Sequence, residues 1–144
     1  MIYYNSPNFE LQSLLCLDCG TVKTGIADNF NNHAIAFPFK TVTTIELLSS
    51  ISTIAERCNV QKIIVGLPFA YPEGESYSFI VDYSRFLQEN LPNIDFIFWD
   101  ETNSSNEIRT AYKYGRKGFR KKFYQNYDRQ SASLILSDFI ACNF

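Results

Sequence analysis

Three groups of carboxylates stand where an apolar run stops or a helix begins: Asp18, the pair Asp100 and Glu101, and Asp128. Asp18 closes the run Leu14-Leu15-Cys16-Leu17, whose unbroken hydrophobicity suits a strand buried on both faces. Asp100 and Glu101 follow a second such run, Ile94-Asp95-Phe96-Ile97-Phe98-Trp99. A carboxylate at the mouth of a buried strand is costly unless positive charge lies beside it. Several carboxylates gathered at one sheet edge would repel and hold their protons more tightly, unless a cation compensates. Oxygen donors of this kind suit Mg²⁺ or Mn²⁺. Two such ions about 4 Å apart can activate water and stabilise the leaving oxygen of a phosphodiester. Each acid also has an ordinary explanation. Asp18 could make an Asx turn, Asp100 or Glu101 could be a solvated strand end, and Asp128 could cap a helix.

A second feature carries the opposite charge. Lys113, Arg116, Lys117, Arg120, Lys121 and Lys122 are six of the 13 basic residues, and the ten positions they span hold no acid. The rest of the chain keeps 7 basic against 15 acidic residues, a balance of −8. A positive patch on an acidic body points to a polyanion. Tyr112, Tyr114, Phe119, Phe123 and Tyr124 interleave with it. Cations for phosphates with rings for stacking are what a nucleic-acid surface needs, although a charge run can also be a plain solvated face. Lys23, five residues after Asp18, is a further candidate for a phosphate contact.

These groups need a scaffold, and 144 residues suit one domain. The chain is 46% hydrophobic and 19% charged, the balance of a folded protein with its own core. No apolar run approaches the roughly 18–20 residues of a membrane span, and Met1–Ser13 lacks the pattern of a signal peptide. The expected organisation is an N-terminal arm over 1–13 and a single domain over 14–144, in the cytoplasm. Cys16 and Cys19 form a C-x-x-C, but on a strand residues three apart face opposite ways, which defeats chelation and dithiol chemistry. The four cysteines read as small reduced hydrophobes.

Leu14 to Asp18, Val22 to Ala27 and His33 to Phe37 read as an antiparallel meander, stopped by Pro38. Thr43 to Cys58 carries Leu47, Leu48, Ile51, Ile54, Ala55 and Cys58 at helical spacing. Lys62 to Gly66 reads as a buried strand, and Leu67 to Glu75 as a loop broken by Pro68, Pro72 and Gly74. Tyr77 to Leu91 reads as a helix with Phe79, Ile80, Tyr83, Phe86, Leu87 and Leu91 inward, and Ile94 to Trp99 as the next strand. Ser104 and Glu107 form a capping box for a short helix. Asp128 to Ala141 closes the chain as a helix with Ala132, Ile135, Leu136, Phe139 and Ile140 on one face. The order implies an α/β fold, a mixed sheet flanked by helices with the Leu14 strand central. Ligands of such sheets gather outside the carboxyl ends of the strands.

Four segments resemble one family. Leu17-Asp18-Cys19-Gly20 through Lys23-Thr24-Gly25-Ile26-Ala27 is similar to its opening LD-x-G-x-x-R-x-G-[VI]-A motif. Ile63 to Pro68 is similar to [VI]-V-G-L-P, and Trp99 to Thr102 to D-E-R. Tyr127 to Ala132 with Leu134-Ile135-Leu136 is similar to its last motif, [ID]-D-x-x-A-A-x-x-I-L. In order and spacing, residues 14–141 resemble the YqgF/RuvX family, Holliday-junction-resolvase-like proteins also described as pre-16S rRNA nucleases. The resemblance implies an RNase H-like fold and catalytic, metal-holding carboxylates at Asp18, Glu101 and Asp128. It also implies Mg²⁺ or Mn²⁺ as cofactor, and Asp100 as a secondary acid. The partners it implies are precursor rRNA or branched DNA and the precursor of the small ribosomal subunit. Lys23 stands where arginine is usual, which keeps the charge and loses the fork. Thr102 replaces the arginine of D-E-R, Asn103-Ser104-Ser105 replaces Leu-Thr-Thr, and the acid expected near Asn29-Phe30 is absent.

The reading is a metal-dependent nuclease acting on structured nucleic acid, with 5′-end processing of pre-16S rRNA as its role. Its rivals are an RNA-binding assembly module that kept the fold without the chemistry, and a resolvase-like DNA nuclease. A nucleotide-binding domain of the actin and sugar-kinase type is a third, though one domain lacks the second lobe such a cleft requires.

Overall fold

The computed structural model describes residues 2–4, 13–29, 34–101 and 131–143. Its strands are β1 (Ile2–Tyr4), β2 (Leu14–Cys19), β3 (Lys23–Asp28), β4 (Phe37–Thr43), β5 (Lys62–Leu67) and β6 (Asp95–Asp100). A 3₁₀ turn at Thr44–Glu46 leads into α1 (Leu47–Cys58), α2 is Glu75–Asn90, and residues 131–143 form the helix labelled α3 here. The six strands lie in the order β1-β6-β5-β2-β3-β4. The β2-β3-β4 meander is antiparallel, and β2, β5, β6 and β1 run parallel. β2 is therefore central, as its unbroken apolar run requires.

Strand alternation splits the core into two layers. Leu15, Leu17, Ile63, Val65, Phe96 and Phe98 face α1 and α2. Leu14, Cys16, Ala27, Ile64 and Ile97 face α3, which meets them with Ala132, Ile135, Leu136, Phe139 and Ile140. The stripe read for α3 is thus the buried one. Cys16 and Cys19 fall in opposite layers, both buried, so their C-x-x-C spacing brings no pair of thiols together.

The structure corrects several boundaries. The third strand begins at Phe37 and runs through Pro38 rather than ending at it. β4 lies at the sheet edge, where a missing N–H is tolerated. A bulge between Ile26 and Ala27 absorbs the irregularity beside Pro38. The N-terminal arm is not wholly outside the sheet: Ile2–Tyr4 pairs with β6 as an edge strand. Phe86 and Cys58, both read as inward, are exposed. Phe86 stays beside Tyr83 on the flank of α2, with ring centroids 5.7 Å apart. α1 ends at Cys58 because Asn59 adopts a left-handed conformation at φ 51° and caps it. The Ser104 helix and the start of the last helix lie outside the described residues. Among the described residues, no helix is long and apolar enough to cross a membrane.

Candidate active site

Strand register decides which residues share a site. Leu17 pairs with Val65 in the parallel β2–β5 ladder, so Asp18 stands next to Gly66. Gly66 pairs with Trp99, and Leu67 with Asp100. The Glu101 amide donates to the Leu67 carbonyl at 3.1 Å, extending the ladder one step beyond β6. By alternation Asp18, Gly66, Trp99 and Glu101 project on the α3 side, and Asp100 projects to the other. Asp18 and Glu101 come from strands separated by β5, and the residue between them is a glycine.

That glycine is what lets them meet. A Cβ built on Gly66 would lie 2.7 Å from Glu101 Oε2, 3.3 Å from Glu101 Cβ and 2.6 Å from Ile135 Cδ1. The Glu101 side chain therefore lies across the bare backbone of residue 66, under Ile135 of α3. There it shares a hydrogen bond with Asp18. Burial, then the charge of Asp18 and the shared hydrogen bond, push the Glu101 carboxyl from its ordinary value up to about 8. Trp99 steadies the same corner, donating from Nε1 to Asp138 Oδ2 at 2.8 Å and packing edge-on against Phe139 at 5.2 Å.

The remaining candidates fall into three groups. Asp100 is exposed and its Oδ1 accepts from the Phe69 amide at 3.4 Å, tying the loop after β5 to the end of β6. Lys23 is exposed at the start of β3, two residues before Gly25, which pairs with Asp18. Alternation puts its side chain on the face of Asp18. Asp128, Lys113, Arg116, Lys117, Arg120, Lys121 and Lys122 lie outside the described residues, as does Thr102. Among the described residues no three acids, cysteines or histidines are gathered closely enough to hold a metal. The donor set present, two oxygen-bearing groups with one proton held unusually tightly, suits a hard divalent cation. The clearance at Gly66 was not recognised from the sequence. Its signal was there in the Val65-Gly66-Leu67-Pro68 motif, but its meaning depends on which residues stand beside it in the sheet.

The buried thiols take no part. Burial, with the charges of Asp18 and Glu101 behind it, pushes both Cys16 and Cys19 well above their ordinary range, which keeps them protonated. Asn29, where an acid was expected, is 1% exposed, and its Oδ1 accepts from the Leu14 amide at 2.9 Å. At this position the residue anchors the start of β2.

A six-stranded mixed sheet with its helices on both faces is an RNase H-like fold. T. thermophilus RuvC, solved in complex with a Holliday junction substrate, shares it with a TM-score of 0.51 at 9% identity, over 91% of this chain and 95% of that one. The family model described as RuvX, Holliday junction resolvase, matches residues 12–141, and the chain belongs to that family. A relative from Phocaeicola vulgatus is 33% identical over 135 residues, covering 90% of this chain and 96% of its own. Another, from Amoebophilus asiaticus, is 28% identical over 89% of this chain and 93% of its own. Both are named as candidate pre-16S rRNA nucleases.

Proposed function

We propose that this chain is a divalent-metal-dependent nuclease that processes the 5′ end of the small-subunit ribosomal RNA precursor in the bacterial cytoplasm. The observation that carries the reading is the meeting of Asp18 and Glu101 over Gly66 at the carboxyl ends of β2, β5 and β6. Family membership and the names of the relatives support the class of reaction and the substrate.

In this reading Asp18, Glu101 and Asp128 would hold Mg²⁺ or Mn²⁺. The bound cation would neutralise the gathered carboxylates, assist deprotonation of the attacking water and stabilise charge on the leaving oxygen. The chain's own groups do the rest. Glu101 holds the proton it shares with Asp18, and cation binding would release that proton to water so that both acids could act as carboxylate ligands. Lys23, on the same face, holds a phosphate oxygen beside them. The Lys113 to Lys122 run neutralises the substrate backbone. Hydrolysis adds one water across a P–O bond and leaves a phosphate monoester and a hydroxyl.

The test is direct. Purified protein with Mg²⁺ should cut a precursor rRNA fragment containing the 5′ leader, and excess chelator should stop it. A four-way DNA junction runs in parallel. Cleavage of the junction and not the RNA would move the substrate to branched DNA, and cleavage of neither would reject the nuclease reading.

A further inference from the structure

Thr44 binds the turn between β2 and β3 from both sides. Its amide donates to the Val22 carbonyl at 2.8 Å, and its hydroxyl donates to the Gly20 carbonyl at 2.6 Å. Thr24 Oγ1 lies 3.0 Å from the same hydroxyl. Because the Thr44 proton goes to Gly20, Thr24 is the donor of that pair. On its other side Thr44 is itself held, its carbonyl accepting the Tyr83 hydroxyl of α2. Tyr83 in turn stacks on Phe79, with centroids 5.6 Å apart. Thr44 and Thr24 are buried, at 5% and 0% exposure, whereas Val22 is 70% exposed.

The turn so held is unusual in its load. It connects Asp18, two residues before Gly20, to Lys23, one residue after Val22. Its own closure is short, with the Gly20 amide donating to the Lys23 carbonyl at 2.9 Å. A Cβ on Gly20 would come within 2.6 Å of that carbonyl oxygen. A tight exposed turn of this kind would otherwise leave the Gly20 and Val22 carbonyls to water and be free to rock about its hinge. Asp18 is held by its pairing with Gly25, one step beyond the Leu17–Val65 pair, whereas Lys23, at the first position of β3, pairs with Thr43, the neighbour of Thr44, so the turn and Lys23 are held from the same point.

We infer that Thr44, backed by Tyr83, is a positioning residue that fixes the β2–β3 turn so that Lys23 meets a substrate phosphate beside Asp18. The inference rests on the assignment of Lys23 as a phosphate contact made above. The expected effect is on substrate affinity rather than on the chemical step, because Thr44 holds the turn that ends at Lys23, whereas Asp18 is held by its pairing with Gly25.

The experiment follows binding and turnover of one fluorescein-labelled precursor rRNA fragment, binding by anisotropy in excess chelator and turnover in Mg²⁺. Lys23→Ala should weaken binding roughly tenfold, the effect of losing one charge-assisted contact. Thr44→Val should weaken it roughly threefold or more and raise KM in step, with kcat within about twofold, and Thr44→Ser should restore both. In the Lys23→Ala background, Thr44→Val should add nothing. Thermal unfolding of each variant separates a loss of fold from a loss of position. If Thr44→Val does not fold, Tyr83→Phe, which removes only the backing hydrogen bond, should give a smaller loss of affinity that likewise vanishes in Lys23→Ala. Folded Thr44→Val with wild-type affinity, or losses that multiply in the double variant, would overturn the clamp. So would wild-type affinity in Lys23→Ala. Wild-type protein that neither binds nor cuts the RNA would instead overturn the nuclease reading, and the clamp's purpose with it.

Discussion

Gly66→Ala is expected to lower RNA cleavage by about 100-fold or more while every candidate acid remains in the chain. The added methyl group would sit 2.7 Å from Glu101 Oε2 and 2.6 Å from Ile135 Cδ1, and one of them must move. If Glu101 swings away, the acid pair opens. If Ile135 moves, α3 lifts from the β5 surface, and the Trp99 contacts at 5.2 Å to Phe139 and 2.8 Å to Asp138 loosen with it. Displacements of about 1 Å at a reacting centre cost on the order of 100-fold. Overpacking of this kind costs roughly 1–3 kcal/mol of stability, which a domain of ordinary stability survives. Urea unfolding and initial cleavage rates, measured on the same preparation, separate the two effects. Full activity in a folded Gly66→Ala protein would mean that Glu101 is not held where the chemistry occurs.

The second large effect is on stability against pH. Glu101 has a folded-state value near 8 against an ordinary value of 4.5, raised first by burial and then by Asp18. Between those two values the folded protein binds more protons than the unfolded chain. Stability from this group is therefore fully present below about pH 4.5 and is lost as the pH rises through about 8. At pH 7 the deficit is on the order of 3 kcal/mol. Glu101→Gln mimics the protonated acid at all pH values. It should be more stable than the wild type at pH 7–8, with the difference shrinking toward pH 4.5. Urea unfolding across this range is the measurement. Millimolar Mg²⁺ should raise wild-type stability most at the upper end of the range, where the proton leaves easily, and should do little for Glu101→Gln.

Much of the scaffold was legible because burial leaves a periodic trace. The continuous apolar run before Asp18 marked a central strand, and the 3.6-residue stripe from Ala132 to Ile140 marked the face that α3 buries. The acids were legible because Asp18 and Glu101 stand immediately beyond such runs. What could not be read depends on neighbours in the sheet. Ile2–Tyr4 is too short for any period to show, and it is a strand only because β6 offers an open edge. Pro38 stops a central strand but not an edge one, and the position of an edge follows from topology. Gly66 was visible as part of a motif. That it clears the path between two carboxylates follows only from the register of β5 against β2 and β6. Thr44 gave no signal, since a threonine before a helix is ordinary and its partners, Gly20 and Thr24, lie 24 and 20 residues earlier.

In this reading Asp18 and Glu101 form one cation site, and that site cuts RNA. Titration of Mn²⁺ into the purified protein at pH 8, read by calorimetry, tests it most directly, with cleavage of the precursor rRNA fragment followed on the same samples. The wild type should bind Mn²⁺, and Asp18→Asn should lose both Mn²⁺ binding and cleavage while remaining folded. A folded Asp18→Asn protein that binds Mn²⁺ and cuts RNA as the wild type does would rule out Asp18 as a ligand of the cutting site.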